Sequence, residues 1–188
     1  QKETKIKNIQ VHNQNSLEAN ISNRAALNLQ GVNISHINKG DLITKKGHIR
    51  GFDGIDISFK CLKGKKLNHN QTYSLFIGAK KIEVKVLLFD CITNIEEGFA
   101  TIKANENLYT IFGEKILLRN ANDTICGGIV LNPIIDPMKK NQKRNLLEAL
   151  NKKDFTNAYK ELLEAHKKGL GIISSTQRFA LSHGEAIE

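Results

Sequence analysis

The sequence predicts a mainly β protein, built of antiparallel barrels and followed by a small helical segment. Three observations carry that fold class. Ile55, Ile57, Phe59 and Cys61 alternate strictly with Asp56, Ser58 and Lys60, which is the period of a half-buried strand. Comparable runs recur at 72–77, 82–88, 98–104, 115–119 and 125–131, parted by turns rich in Gly and Asn. Six short strands of this kind make a small antiparallel barrel or sandwich, whose closure removes unpaired edges. Beyond Pro133 and Pro137 the apolar period lengthens from two residues to nearly four, so helices replace strands.

Taken in order, residues 1–13 read as one strand with Ile9 and Val11 on a common face, and Leu17 to Arg24 supply a turn. A second strand over 23–32 sets Ala25, Leu27 and Leu29 against Asn28 and Gln30. A short turn of helix follows Gly31 and leads to Lys39-Gly40-Asp41-Leu42-Ile43. Within the six-strand region, Ile82, Val84, Val86 and Leu88 line one face. The segment Gly113 to Pro133 is a β-hairpin: Ile116–Leu118 ends in Arg119, a polar turn of Asn120, Asn122 and Asp123 follows, and Gly127-Gly128 opens the return strand. Asn and Asp tolerate the turn backbone, and paired glycines let a strand bend or approach another backbone closely.

Lys139 to Lys153 is a basic helix with Leu146, Leu147 and Leu150 on one side. Asp154 is placed to cap the next helix, whose inner face is Phe155, Ala158, Tyr159, Leu162, Leu163 and His166, with Gly169 as its stop. Ile172-Ile173 and Phe179-Ala180-Leu181 are expected to form a hairpin. Helix, helix, hairpin is the order of a winged-helix module cut short.

Composition sets the outer limits. A chain of 188 residues holds one ordinary domain or two small ones, and 25% charged with 40% apolar residues is the balance of a soluble globular protein. No apolar run reaches membrane-spanning length, and Gln1 opens a basic, polar stretch instead of a signal peptide. The missing initiator Met leads to the expectation that the chain is a piece of a longer one. The three cysteines, Cys61, Cys91 and Cys126, include no CxxC pair and read as reduced core thiols before any metal or redox role. A formal charge of +9 favours a polyanionic partner, although lysines also serve plain solubility.

Two stretches resemble translational GTPases. Ile9-Gln10-Val11-His12-Asn13, then Arg24 to Val32 (RAALNLQGV), then Lys39 to Ile43 (KGDLI) follow the order of the second half of their second β-barrel. The Gly113–Pro133 hairpin resembles the closing hairpin of the third domain of elongation factor Tu-like GTPases, with its Arg, polar turn, Thr and Gly-rich entry. Its ending, Gly127-Gly128-Ile129-Val130-Leu131-Asn132-Pro133, is similar to the selenocysteine-specific elongation factor branch. This resemblance implies β-barrels of translation-factor type and three parts. Residues 1–50 would be the C-terminal half of the second barrel, 51–134 the six-stranded third barrel, and 135–188 the start of a helical, winged-helix-like region. It also implies a GTPase domain and further barrel strands upstream.

The resemblance assigns the chemistry to binding. In that branch the position of Arg24 carries an Arg beside the aminoacyl group, within a Gly-Gln-Arg triplet; here the triplet is Ser22-Asn23-Arg24. A selenol is ionised at neutral pH, so a guanidinium can separate selenocysteine from serine by charge. The plain alternative is a surface Arg on a barrel strand. Backbone contacts to tRNA map to Lys80 and Lys81 in the Gly78–Lys81 turn, and to Arg119, Asn120 and Ala121. The branch often has a His two residues before that Gly, where this chain has Phe76, and Arg119 has a structural alternative within the barrel.

The partners implied are selenocysteinyl-tRNA and the ribosome, an mRNA hairpin through C-terminal modules beyond this chain, and no membrane; the implied location is cytoplasmic. The full-length protein would be a GTPase holding GTP and Mg2+. This fragment has no phosphate-cradling G-x-x-x-x-G-K-[ST] loop, no expected cofactor or metal, and no evident catalytic set among its six scattered histidines. Asn151-Lys152-Lys153-Asp154 spells N-K-x-D but falls between two helical patterns, where it reads as a helix end and a cap. Rival readings are another elongation factor Tu-like GTPase, and a non-enzymatic β-barrel and winged-helix scaffold that binds protein partners.

Overall fold

A computed structural model describes residues 3–167, 169–182 and 184–186, leaving aside the side chain of Ile173. The chain divides into two compact units, 1–41 and 42–188. In the first, β1 (Ile6–Val11), β2 (Gln14–Ser16) and β3 (Ala25–Leu29) form an antiparallel sheet in the order β2-β1-β3. The single strand expected over 1–13 stops early. His12 and Asn13 both take left-handed backbone angles (φ 52° and 63°) and turn the chain into β2, a role that suits Asn and tolerates His. The expected turn of helix is a 3-10 turn, Ile34–His36, opened by the Asn33 side chain accepting from the Ser35 amide at 3.1 Å. Among the described residues none in 3–41 is buried, and Leu17 and Ile21 are 100% and 98% exposed.

The second unit is dominated by a closed barrel, the fold class expected. Its strands are β4 (Gly51–Cys61), β6 (Gln71–Ile77), β7 (Lys80–Leu88), β9 (Glu97–Tyr109), β10 (Lys115–Arg119) and β11 (Thr124–Asn132), ordered β10-β11-β4-β9-β7-β6 with every pairing antiparallel. Two short strands, β5 (Leu67–Asn68) and β8 (Asn94–Ile95), pair with each other at its margin. The alternating positions read from the sequence fill the interior: Ile55, Ile57, Phe59, Leu75, Ile82, Val84, Val86, Leu88, Ile102, Ile116, Leu118 and Val130 are all buried in one core. Gly128 lets β11 pass between its neighbours, because a Cβ there would lie 2.6 Å from the Ser58 carbonyl oxygen and 3.2 Å from Ile116. At Gly127 the space is open, with the first neighbour 3.8 Å away.

Three helices follow: α1 (Lys140–Asn151), α2 (Phe155–His166) and α3 (Ile172–Phe179). Asp154 caps α2, its carboxylate accepting from the Asn157 amide at 3.1 Å. That hydrogen bond holds its pKa below the ordinary carboxylate value. The end of α2 is Lys167 in left-handed conformation (φ 54°), two residues before Gly169. The hairpin expected over 172–181 is not formed, since Ile172–Phe179 is helical. Tertiary contacts override the β-branched start of that segment. Helical geometry lets adjacent Gln177 and Arg178 both reach buried partners, whereas a strand would send them to opposite faces.

Those partners explain how the helices sit on the barrel. The Gln177 amide donates to the Arg50 and Thr110 carbonyls, both at 2.8 Å, and its oxygen accepts from the Arg50 amide at 3.1 Å. Arg178, 4% exposed, makes a two-pronged pair with Asp136 at 2.6 and 2.7 Å and donates to the Asn132 side chain at 3.1 Å. The Asn132 amide in turn reaches Asp56 on β4, which also holds Lys143 of α1 at 2.7 Å and accepts from Thr101 of β9 at 2.6 Å. Around this polar chain lies a second apolar cluster. Phe112 and Leu131 from the barrel pack with Leu146, Leu147 and Leu150 of α1, Ala158 and Leu162 of α2, and Phe179 of α3. Among the described residues no helix is long and apolar enough to cross a membrane, and no group of His, Cys, Asp and Glu is placed to hold a metal.

Candidate nucleic-acid interface

Three adjacent strands, β7, β6 and β10, turn alternate residues outward. Since Ile82, Val84, Leu75, Ile77, Ile116 and Leu118 point into the core, the residues between them face solvent. These are Lys81, Glu83 and Lys85 on β7, Thr72, Ser74 and Phe76 on β6, and Lys115, Leu117 and Arg119 on β10. Four cations (Lys81, Lys85, Lys115 and Arg119) thus share this face with one carboxylate, Glu83.

Register brings two of the cations to a common point. Phe76 stands opposite Lys81 on one side and Leu117 on the other, and Arg119 stands opposite Ser74. The Lys81 ammonium lies 5.8 Å from the Phe76 ring centre and the Arg119 guanidinium 5.6 Å from it. A half-buried ring held between two cations positions both without neutralising either. The Nε of Arg119 is buried with no hydrogen-bond partner, so packing on the ring directs this guanidinium.

Of the residues singled out in the sequence, Lys81 and Arg119 are brought together here. Lys80, its side chain on the other side of the strand, pairs with Glu106 of β9. Asn120 caps its own turn: its side-chain oxygen accepts from the Asn122 and Asp123 amides at 3.0 and 2.6 Å, and Ala121 is exposed at the tip. Asp123 is tied down by Lys65 at 2.6 Å, and that hydrogen bond and charge lower its pKa. Arg24 belongs to the first unit, exposed at the entry to β3. Asn151 ends α1 and Asp154 caps α2, so the N-K-x-D tetrapeptide is a helix junction. Sequence reasoning passed over Phe76 as the platform, and Lys85 and Lys115 as members of the face. The signal was the outward alternation on three strands, but only the strand order shows that they are neighbours.

No family model matches the chain. It is 20% identical over 146 residues to the selenocysteine-specific elongation factor of Desulfomicrobium baculatum, an alignment covering 74% of this chain and 23% of that protein. Its fold is similar to the crystal structure of a bacterial selenocysteine-specific elongation factor, with a TM-score of 0.76 and 22% identity over 95% of this chain and 29% of the other. The chain therefore spans about a quarter of the length of these relatives.

Proposed function

We propose that this chain is the tRNA-binding part of a GTP-dependent elongation factor that delivers selenocysteinyl-tRNA to the ribosome. The observation that carries the reading is the outward pair of cations, Lys81 and Arg119, held on Phe76 in a face of four cations and one carboxylate. The similarity to selenocysteine-specific elongation factors supports it. Such a face suits a phosphate backbone. Lysines deliver charge without the rigid fork that reads a base edge, and double-stranded RNA is met mostly through shape and phosphates. Lys81 and Arg119 form its centre, and Lys80 and the Asn120-Ala121 turn flank it. Lys80 contributes less, because a phosphate must first displace Glu106.

Arg24 is assigned to the aminoacyl pocket of the full-length protein, where its charge favours the selenolate. There Arg24→Ala weakens selenocysteinyl-tRNA roughly ten- to a hundred-fold, the worth of a charge-assisted hydrogen bond, and seryl-tRNA much less. GTP and Mg2+ belong to the upstream domain of that protein, and the mRNA hairpin to modules that follow.

The test is log affinity against log salt for the chain with two tRNAs of different stem sequence. Each lost phosphate contact lowers the slope by about 0.7 to 0.9. Lys81→Ala is expected to do so for both tRNAs alike, with a smaller change for Lys80→Ala. An unchanged slope for Lys81→Ala would return this face to solvation alone.

A further inference from the structure

Cys61 near the end of β4 and Cys126 on β11 stand directly opposite each other in the antiparallel ladder. The Leu62 amide donates to the Ile125 carbonyl at 2.9 Å, which places the Cys61–Cys126 pair at a non-hydrogen-bonded position. Such positions bring Cα atoms to about 4.5 Å with both side chains on one face, inside the roughly 4.4–6.8 Å span that a disulfide requires. Both side chains pack in the same barrel core, and the Cys61 thiol donates to the Ile95 carbonyl at 3.7 Å. Cys126 is fully buried, whereas Cys61 is partly open to solvent at the barrel's margin. One sulfur is reachable and the other waits behind it.

We propose that Cys61 and Cys126 are a cross-strand dithiol, a modification site that closes to an intramolecular disulfide with a small peroxide as oxidant. Cys61 acts first. Its thiolate attacks one peroxide oxygen, the O–O bond breaks, and the departing hydroxide takes a proton to leave as water, giving a sulfenic acid. Cys126 sulfur then attacks Cys61 sulfur, the S–O bond breaks, and the hydroxyl leaves as water with the Cys126 proton. Two thiols and one hydrogen peroxide become one disulfide and two waters. Burial raises the pKa of both thiols, so the first step is slow at neutral pH and quickens as pH rises. The link bolts β11 to β4 just beyond the 119–124 turn.

The experiment uses the full chain with Cys91→Ser. Cys91 must be removed because hydrogen bonding with Thr93 lowers its pKa and makes it a competing thiol. The folded protein is treated with hydrogen peroxide at pH 7 and 8.5, then alkylated, weighed and mapped. The expected product is monomeric, lighter by two hydrogens, with peptides containing 61 and 126 joined, reversed by dithiothreitol and formed faster at pH 8.5. Its melting midpoint rises by about 5–15 °C, as a cross-link closing a long loop should produce. With Cys61→Ser added, Cys126 stays reduced. A sulfenic or sulfinic acid at Cys61 without the link would overturn the proposal, as would a link that forms only above the unfolding midpoint.

Discussion

Gly127 and Gly128 look alike in the sequence and differ entirely in what surrounds them. Alanine at 128 would press its methyl on the Ser58 carbonyl and on Ile116, so Gly128→Ala is expected to cost about 1–3 kcal/mol, the range for overpacking. Gly127→Ala meets only ordinary contacts and should stay within about 0.5 kcal/mol of the parent. Urea melts of the two variants read the contrast directly, and equal effects would mean that β11 and β4 can separate freely at 128. Arg178 provides a second residue-level case. Methionine in its place leaves the buried carboxylate of Asp136 without its two-pronged partner and with only the His166 Nε2 beside it at 2.9 Å, an expected loss of roughly 3–5 kcal/mol. Adding Asp136→Leu should restore most of that, since no buried charge then lacks a partner. A double variant no better than Arg178→Met would show that the bonds from Arg178 to Asn132 and the Ile134 carbonyl carry the loss instead.

Among the elements, the barrel and the β1–β3 sheet differ in what they bury. The barrel strands share a continuous core and have no free edge, while β1–β3 form a three-stranded sheet whose described residues are all at least partly exposed. Backbone amides of Ile6–Val11 are therefore expected to exchange with solvent well before those of Ile55–Phe59, since few buried contacts resist local opening there. Hydrogen exchange resolved by segment measures this, and equal protection in a dilute monomer would show that β1–β3 have found a partner surface. Helix α3 acts as a clasp at this scale: Gln177→Ala removes its bonds to both sides of Arg50 and to Thr110. Exchange should rise at Arg50 and at Phe112, whose amide donates to the Gln177 carbonyl, while the strands of the barrel interior stay as they were.

For the molecule as a whole, the cationic face and the helical segment are tied to one barrel through different surfaces. Outward residues of β7 and β10 carry the cations on either side of β6, while β4, β9 and β11 offer Asp56, Thr101 and Asn132 to the helices. The described residues include no phosphate-cradling loop, and Asn151 and Asp154 are engaged in ending one helix and capping the next. Calorimetric titration of this chain with a non-hydrolysable GTP analogue is therefore expected to be silent. Micromolar binding lost on Asp154→Ala would mean that the helix junction reads guanine after all.

Much of this was legible in the chain itself. Period-two alternation at Ile55–Cys61 and Ile82–Leu88 identified the strands, because each side of a strand meets a single environment. The Asp154 cap and the leucines of α1 identified helices for the same local reason, and the order of motifs pointed to translation-factor barrels. What local pattern did not reveal was every feature that depends on which strands are neighbours. Phe76 became a platform only when β6 lay between β7 and β10. Gly128 differed from Gly127 only when β4 and β10 closed around it, and two scattered cysteines became a pair only in register. The hairpin expected at 172–181 failed for the same reason. Its two apolar ends suit a strand pair taken alone, but Gln177 and Arg178 find their buried partners at residues 50, 110, 132 and 136, contacts so distant in sequence that no local period encodes them.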